Sequence, residues 1–333
     1  MFTRRTLACG LGASFAAAPS LVHAFSPGQA PQAVSPASPT VVPPPATPAL
    51  PLYVIDTGID ESERMTVETQ INGQGQYRFV VDSGADRSVI SQTLAARLDL
   101  PRGRDVIVHG IGGSAITPTA RIAHLSTGEA RLTDVELPVL APERVGGDGL
   151  LGVDILQDRS VVMDFKRKRL EVRHSTPEYR FVRRSQEVQI EADQRFGRLT
   201  VVNCRVNNIR TLAFIDSGAG SSIGNMALSK AIQAKARKGA DPALAVRLLG
   251  VAGGETIGEY RVLRSMSMGD LRMTNLAVVF ADLHIFDHWK INEKPALLLG
   301  VDVLKLFARV ELDFGAEQLL FRLGSGGPPV LQA

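Results

Sequence analysis

The feature of this sequence that most constrains its fold is an internal duplication. An apolar run that ends in Asp-Ser-Gly-Ala occurs twice, and each copy continues with a Gly-rich segment, a Leu-Leu-Gly-Val-Asp motif and a short apolar segment. Because four landmarks recur in the same order, we infer that the chain contains two copies of one structural unit. The paired segments are residues 79–85 and 213–219, 110–113 and 250–254, 150–156 and 298–304, and 162–165 and 311–314.

The two copies differ in length between these landmarks. The second copy is longer in two stretches, near residues 227–245 and near residues 281–295. Surface loops tolerate insertions best, so we expect both stretches to lie at the surface.

Both copies are predicted to be mostly β-strand, because short apolar or alternating runs are bounded by Gly, Asn or Asp. Helical patterns are confined to residues 91–98 and 226–238, each shortly after an Asp-Ser-Gly, and to a short turn after each Leu-Leu-Gly-Val-Asp. We therefore predict an all-β chain of two similar lobes with a few short helices. The predicted strands are 65–71, 77–81, 120–124, 132–139, 199–205, 211–215 and 275–280.

The lobes are expected to occupy residues 53–175 and 187–325. Residues 176–186 would connect them, and residues 326–333 would form a tail. At this size each lobe can bury a core of its own.

The first 24 residues are typical of an export signal. Arg4 and Arg5 form a positive start, residues 6–18 are mildly apolar, and residues 22–24 suit a cleavage site. The order Thr-Arg-Arg-Thr-Leu also resembles a twin-arginine signal. We expect a periplasmic or secreted protein, exported by either the twin-arginine or the general route.

Residues 25–52 contain nine prolines and no charged residue. Such a stretch favours extended polyproline conformations and cannot build a core. We interpret it as a linker, with a pro-segment that covers the active site as the alternative.

The overall charge gives little support to a nucleic-acid partner, since 37 basic residues face 34 acidic ones and the net charge is +3. The basic run at residues 166–169 falls where the second copy has Gly-Ala-Glu-Gln, which indicates a hairpin tip.

The absence of a run of 18 apolar residues argues against a membrane span. Neither a phosphate-binding Gly-Lys-Ser/Thr loop nor a Gly-x-Ser-x-Gly elbow is present, which argues against nucleotide and serine-hydrolase chemistry. Cys204 would remain alone after signal removal, and we expect a buried thiol there.

The chemistry is predicted to reside in Asp82 and Asp216, each placed at the end of an apolar strand. Two carboxylates that meet across a pseudo-two-fold axis cannot both ionise easily, so they share a proton and titrate as a pair. The ionised member can then activate water while the protonated member polarises a carbonyl. Glycine in each Asp-Ser-Gly lets the backbone turn sharply, and serine supplies a hydroxyl that can fix the loops. These supporting residues are Ser83, Gly84, Ser217 and Gly218.

On these motifs the chain resembles the retropepsin-like aspartic proteases of bacteria, with two copies fused in one chain, over roughly residues 63–323. The resemblance implies two β-rich lobes related by a pseudo-two-fold, with Asp82 and Asp216 as the catalytic pair. It also implies a close-packed strand crossing at Gly152 and Gly300. The Gly-rich loops would be flaps over the substrate, and Trp289 is a further candidate for a substrate pocket. The flap residues are Gly110, Gly112, Gly113, Gly253 and Gly254.

The sequence thus predicts an exported aspartic endopeptidase without cofactor or metal, acting as a monomer on a polypeptide bound extended between the lobes. Two alternatives remain: a catalytically inactive peptide-binding or regulatory protein of the same fold, and a dimer in which lobes of different chains pair. His284 and His288, four residues apart, imitate a metal site, but Ile285 stands where a zinc protease motif has Glu. We therefore place these histidines at the rim of the protein.

Overall fold

The computed structural model describes residues 53–55, 64–175, 187–235, 244–250, 252–324 and 331–332. The expected export signal (1–24), linker (25–52) and inter-lobe connection (176–186) lie outside these residues. Of the expected tail, only residues 331–332 are described, and they form a short strand. None of the helices in the described part of the chain is long and apolar enough to cross a membrane.

Strands dominate the described residues, and six short helices interrupt them. The strands of the first half are β1 (Tyr53–Ile55), β2 (Thr66–Ile71), β3 (Gln74–Val81), β4 (Val89–Ser91), β5 (Arg102–Gly110), β6 (Gly113–Thr127), β7 (Ala130–Leu140), β8 (Gly149–Leu151), β9 (Arg159–Asp164) and β10 (Arg169–His174). Those of the second half are β11 (Glu187–Arg195), β12 (Arg198–Val201), β13 (Cys204–Val206), β14 (Ile209–Arg210), β15 (Leu212–Ile215), β16 (Ile223–Gly224), β17 (Leu244–Leu249), β18 (Glu255–Met268), β19 (Leu271–Phe280), β20 (Ala296–Leu299), β21 (Arg309–Asp313), β22 (Gln318–Arg322) and β23 (Leu331–Gln332). The helices are α1 (Gln92–Arg97), α2 (Pro142–Val145), α3 (Val153–Leu156), α4 (Met226–Lys235), α5 (His284–His288) and α6 (Val301–Leu304).

The first lobe is a sheet that closes on itself. Its strands run in the order β2-β3-β8-β4-β7-β6-β5, and β2 pairs with β6 as well as with β3. Two pairings are parallel, β3 with β8 and β4 with β7, so that β3 ends beside β8 in the centre of the lobe. Apolar side chains fill the interior, among them the fully buried Phe79, Ile90, Leu94, Ile122 and Leu125.

The second lobe repeats this ring with the matching strands. β15 runs parallel to β20 and β16 runs parallel to β19, while β13 pairs with both β14 and β18. The two β-rich lobes predicted from the duplication are therefore confirmed.

The lobes are joined by strands in the order β10-β9-β21-β22-β11, the joining sheet, which continues into the second lobe's sheet through the pairing of β11 with β12. β9 of the first lobe pairs antiparallel with β21 of the second, and equivalent residues exchange places across the junction. Val161 pairs with Leu312, and Met163 pairs with Val310. Such reciprocal pairing is the mark of a two-fold relation.

The helices predicted from sequence are confirmed within a residue or two. α1 begins after Ser91, whose Oγ accepts a hydrogen bond from the backbone N–H of Leu94 at 3.1 Å, which is the usual N-cap arrangement. α4 covers the described part of the second predicted helix, since residues 236–238 lie outside the described part. Short helices also follow each Leu-Leu-Gly motif, as expected.

Two strands are longer than predicted, since β6 begins at residue 113 rather than 120 and β19 at 271 rather than 275, and one predicted strand is divided. The run 199–205 is divided into β12 and β13 because Asn203 adopts a left-handed conformation with φ 62°, which turns the chain between them. Cys204 is buried on β13, as expected, and burial raises the pKa of its thiol to about 12. The basic run 166–169 begins in the turn between β9 and β10, which confirms a hairpin tip.

Two features depart from the expected division into lobes and loops. β1 lies in the predicted first lobe, yet it pairs in parallel with β17 of the second lobe, because the outer edge of that sheet is open to another strand. The insertion near residues 281–295 is not merely a surface loop. It contains α5, and its apolar side chains pack into a small core of the second lobe, which includes Phe286, Trp289 and Ile291.

The joining sheet should make the two lobes unfold together. Replacing the fully buried Leu312 by Ala removes a side chain that packs in the joining sheet, and we expect a loss of about 3 kcal/mol of unfolding free energy. Urea unfolding followed by circular dichroism measures this loss. Ile116→Ala, on a side chain that is 77% exposed, is the control and should change stability by less than ~0.5 kcal/mol. Two separate transitions in the wild type would contradict the coupling.

Candidate active site

Asp82 and Asp216 are held in equivalent positions by the central strands of their lobes. Each follows a buried strand, and its backbone N–H donates to the neighbouring parallel strand: Asp82 to the carbonyl of Leu151 and Asp216 to that of Leu299, both at 2.9 Å. In each loop the glycine two residues later donates its N–H to the carboxylate, from Gly84 at 2.8 Å and from Gly218 at 3.0 Å. The carboxyl groups are thus fixed by backbone rather than by flexible side chains.

The two loops are locked to each other by Ser83 and Ser217, both almost fully buried. Ser83 Oγ accepts a hydrogen bond from the N–H of Ser217 at 2.9 Å and donates to the carbonyl of Ile215 at 3.0 Å. Ser217 Oγ accepts from the N–H of Ser83 at 3.0 Å and donates to the carbonyl of Val81 at 2.8 Å. Each hydroxyl therefore satisfies one donor and one acceptor of the opposite lobe, which leaves no buried polar group unpaired at this junction.

The carboxyl groups meet across this junction, each lying against the glycine of the opposite loop. The approach is so close that a β-carbon at Gly84 would collide with the carboxyl group of Asp216, and one at Gly218 with that of Asp82. Glycine is required at both positions for this reason, and not only for the turn.

The environment favours the protonated form of the pair. Burial, followed by the charge of Asp216, raises the pKa of Asp82 to about 7. Burial also raises the pKa of Asp216, although Arg198 and two backbone N–H groups oppose the shift. One proton shared by the two carboxyls near neutral pH is the state expected for like charges held together.

A second pair of carboxylates braces the loops from behind. Asp154 accepts hydrogen bonds from the N–H and Oγ of Ser88 at 2.9 and 2.7 Å, and the Asp302–Ser222 pair has the same two distances. The serine hydroxyls in turn accept the N–H of Gly152 at 3.1 Å and of Gly300 at 3.0 Å. Either glycine lies against the loop backbone so closely that a side chain would collide with it. The crossing implied by the family resemblance is therefore present in both lobes.

The sequence reasoning missed these serines and two arginines. Ser88 and Ser222 lie six residues after the aspartates, and the shared spacing was the signal. Arg64 and Arg198 both precede their aspartate by 18 residues, in the pattern Arg-x-Thr-Val. A search for polar residues at equal distances from Asp82 and Asp216 would have identified the two serines and the two arginines.

Arg198 pairs with an acidic residue that has no equivalent in the second copy. Arg198 is almost fully buried; its Nε donates to the carbonyl of Gly84 at 2.9 Å, and Nη1 donates to Asp86 Oδ1 at 2.8 Å. This side chain from the second lobe thus supports the loop that carries Asp82. Arg64 donates to the carbonyl of Val145 at 3.2 Å within its own lobe, and the second copy has Gly220 where the first has Asp86.

A cavity of about 460 Å³ lies over the two aspartates. Gly110 of the first flap lines it. Gly112 and Gly113 continue this flap, and Gly112 touches the second flap at Gly253 and Gly254. The two flap tips therefore meet, with the first flap over the aspartates.

Trp289 also lines the cavity and is only 7% exposed. Its ring stacks on Phe196 with centroids 5.5 Å apart, and the guanidinium of Arg198 lies 4.5 Å from its ring centroid. The insertion near residues 281–295 therefore supplies a wall of the cavity. Among the described residues no cluster of three or more His, Cys, Asp or Glu is arranged to hold a metal ion.

The raised pKa of Asp82 has a consequence for stability. A carboxyl with a raised pKa stabilises the fold below its ordinary value near 4, and this contribution is lost as the pH rises through about 7. Asp82→Asn removes the charge, so we expect it to raise Tm at pH 8 by roughly 3–8 °C and to change it little near pH 4. Thermal unfolding at both pH values tests this.

Asp134→Asn is the matched control for this substitution, since Asp134 is an exposed residue of β7 with φ 51°, a conformation that Asn tolerates. The control should leave Tm unchanged at both pH values. A lower Tm of Asp82→Asn at pH 8 would show that the pair is not under electrostatic strain.

Comparison with known protein families agrees with this geometry. The family described as gag-polyprotein putative aspartyl protease matches residues 67–158, and the family described as aspartyl protease matches residues 202–303. Each match contains one Asp-Ser-Gly loop and the glycine of the strand crossing. No curated protein matches the chain significantly. The chain therefore belongs to the retropepsin-like aspartyl proteases, with two of their domains in tandem.

Proposed function

We propose that the chain is an exported aspartic endopeptidase in which Asp82 and Asp216 hydrolyse peptide bonds. The observation that carries the proposal is the pair of carboxyl groups that meet across the junction of the lobes, at the base of a cavity beneath a flap. Membership of the aspartyl protease families supports peptidase chemistry.

The shared proton divides the roles within the pair. The ionised carboxyl takes a proton from a water molecule, and the protonated carboxyl donates a hydrogen bond to the carbonyl oxygen of the scissile bond. Water oxygen then bonds to the carbonyl carbon, and the proton held by the pair passes to the leaving nitrogen as the C–N bond breaks. No cofactor is required, since water is the nucleophile and a side chain is the base.

The substrate would lie extended between the lobes. Backbone groups of a strand can pair with the flap hairpins, and the apolar walls of the cavity receive its side chains. Those walls include Val106, Leu150, Ile223, Trp289 and Leu298. Because one chain supplies both aspartates, a monomer suffices.

Neither aspartate should work without the other. Asp82→Asn and Asp216→Asn should each reduce cleavage of an unfolded test protein by at least about a thousandfold, and the double variant should be little worse than either. Initial cleavage rates at a pH between 5 and 7 provide the measurement.

The control is again Asp134→Asn, which should cleave at the wild-type rate. Substantial activity in one single variant would exclude a shared pair. A wild type that binds peptides without cleaving them would establish the alternative of an inactive binding protein.

We also propose that residues 1–24 direct export and are removed. In a bacterial host the periplasmic protein should begin at residue 25, which N-terminal sequencing determines. The double substitution of Arg4→Lys and Arg5→Lys should leave the chain unprocessed in the cytoplasm if it follows the twin-arginine route. Export of this variant would point to the general route, and a periplasmic protein that keeps residues 1–24 would contradict signal removal.

A further inference from the structure

The first flap is attached to the opposite lobe at α5. The backbone N–H of His284 donates to the carbonyl of Ile111 at the flap tip, at 3.1 Å. Two residues before Ile111 in the same flap lies His109. Its Nδ1 is 2.9 Å from His284 Nε2, within hydrogen-bonding distance. Two contacts of one α5 residue therefore hold the flap.

A third imidazole completes this attachment. His288 lies one turn after His284 and stacks on His109, with ring centroids 4.1 Å apart and planes 22° from parallel. The His109 and His284 rings are 5.2 Å apart and inclined by 12°. Because the rings stack side by side rather than aim at one point, the cluster suits a contact between lobes better than a metal site.

The cluster borders the cavity of the aspartates. His109 and His288 both line it, so the attachment lies beside the path that a substrate must take to Asp82 and Asp216. The flap can admit an extended polypeptide only if this attachment loosens.

His109 is an exposed residue, but its ring packs against those of His288 and His284, which disfavours its protonation while the flap is closed. Partial desolvation in this contact, then His288 and His284, lower the pKa of His109, and Asp86 opposes them. Asp86 is itself paired with Arg198.

Other charged groups on or beside α5 are few. Asp287 accepts a hydrogen bond from Asn292 Nδ2 at 3.1 Å, and Asp282 and Lys290 flank the helix. The acidic group that acts on the closed cluster is thus Asp86, with Arg198 beside it to weaken its effect.

We propose that His109, His284 and His288 form a latch that holds the first flap closed when neutral and releases it when protonated. The inference rests on the proposed function, because it assigns a regulation to the same cavity. A neutral pair of imidazoles bonds through one N–H and one lone pair. A first proton leaves the bond in place, because the charged ring donates to the lone pair of the neutral one. Only when a second proton is taken up does each facing nitrogen carry a hydrogen, so that the bond is lost and the stacked cations repel.

A fall in pH would then have two effects on this protein, one on the latch and one on the pair of aspartates. The ordinary pKa of histidine is near 6.5, and the contacts of His109 in the closed cluster hold its pKa below that value, whereas the pKa of Asp82 is raised to about 7. The flap would therefore open at a pH below that at which the aspartates acquire their shared proton.

Hydrogen exchange tests the latch without any need for activity. The full chain is compared at about pH 5.5 and pH 8, on peptides that cover residues 109–113 and 284, with rates corrected for intrinsic exchange. We expect corrected exchange to be roughly two- to fivefold faster at the lower pH, the size expected for repulsion between exposed charges. Acrylamide quenching of Trp289, the sole tryptophan, should increase in parallel.

His109→Gln keeps a hydrogen-bonding side chain but cannot take up the charge, so it should abolish most of this pH dependence. His288→Gln, on an exposed position of α5, should reduce it and serves as a second variant. His124→Gln is the matched control, since His124 is an exposed histidine of β6 that does not line the cavity, and it should keep the full pH dependence.

Equal corrected exchange at both pH values in the wild type would overturn the latch, as would an unchanged pH dependence in His109→Gln. Loss of the pH dependence in His124→Gln would assign it to the fold as a whole and would also overturn the latch. Failure of the aspartate variants to lose cleavage would refute the proposed function and leave these exchange results unaffected.

Discussion

Two carboxyl groups that share one proton are stable only if the protein prevents them from moving apart. Like charges at this separation repel, and either loop could relieve the repulsion by withdrawing. The structure opposes this with the four hydrogen bonds of Ser83 and Ser217, which tie each loop to the strand of the opposite lobe. Behind them, β9 and β21 fix the distance between the lobes. The fold is therefore organised to hold one strained contact.

The duplication explains why the contact between the two aspartates is nearly symmetric. The sequence differences between the two copies explain where the symmetry ends. The serine, glycine and bracing aspartate positions agree in both copies, because each supports the shared geometry. Arg198 departs from this, since it reaches Asp86 of the other lobe, and the second copy has Gly220 where the first has Asp86. The two aspartates consequently experience different charges, and burial and the neighbouring charge raise the pKa of Asp82 to about 7.

Much of this arrangement could be predicted from the sequence, because the repeated motifs carry it. The Asp-Ser-Gly loops, the crossing glycines and the helices after each motif are local patterns, and two copies make them distinguishable from ordinary turns. The cross-lobe partners could not be predicted, since contacts between distant segments leave no periodicity. Arg198 and His109 are examples: each is one polar residue in a strand, and only the folded chain shows what it faces. The insertion near residues 281–295 was misjudged for the same reason, because its apolar residues are scattered rather than periodic.

The insertion near residues 281–295 also shows how a single chain with two lobes differs from a symmetric dimer of two identical one-lobe chains. In a symmetric dimer each half would carry α5, and both flaps would be held alike. Here the second copy carries α5 where the first has the shorter α2, so the first flap is bound through His284 of α5, whereas Arg144 of α2 lies beside Gly253 of the second flap. The same segment supplies Trp289, which packs on Arg198 and so touches the support of the Asp82 loop. One short insertion in one copy thus contacts the first flap, forms part of the cavity wall and packs on the arginine that supports the Asp82 loop.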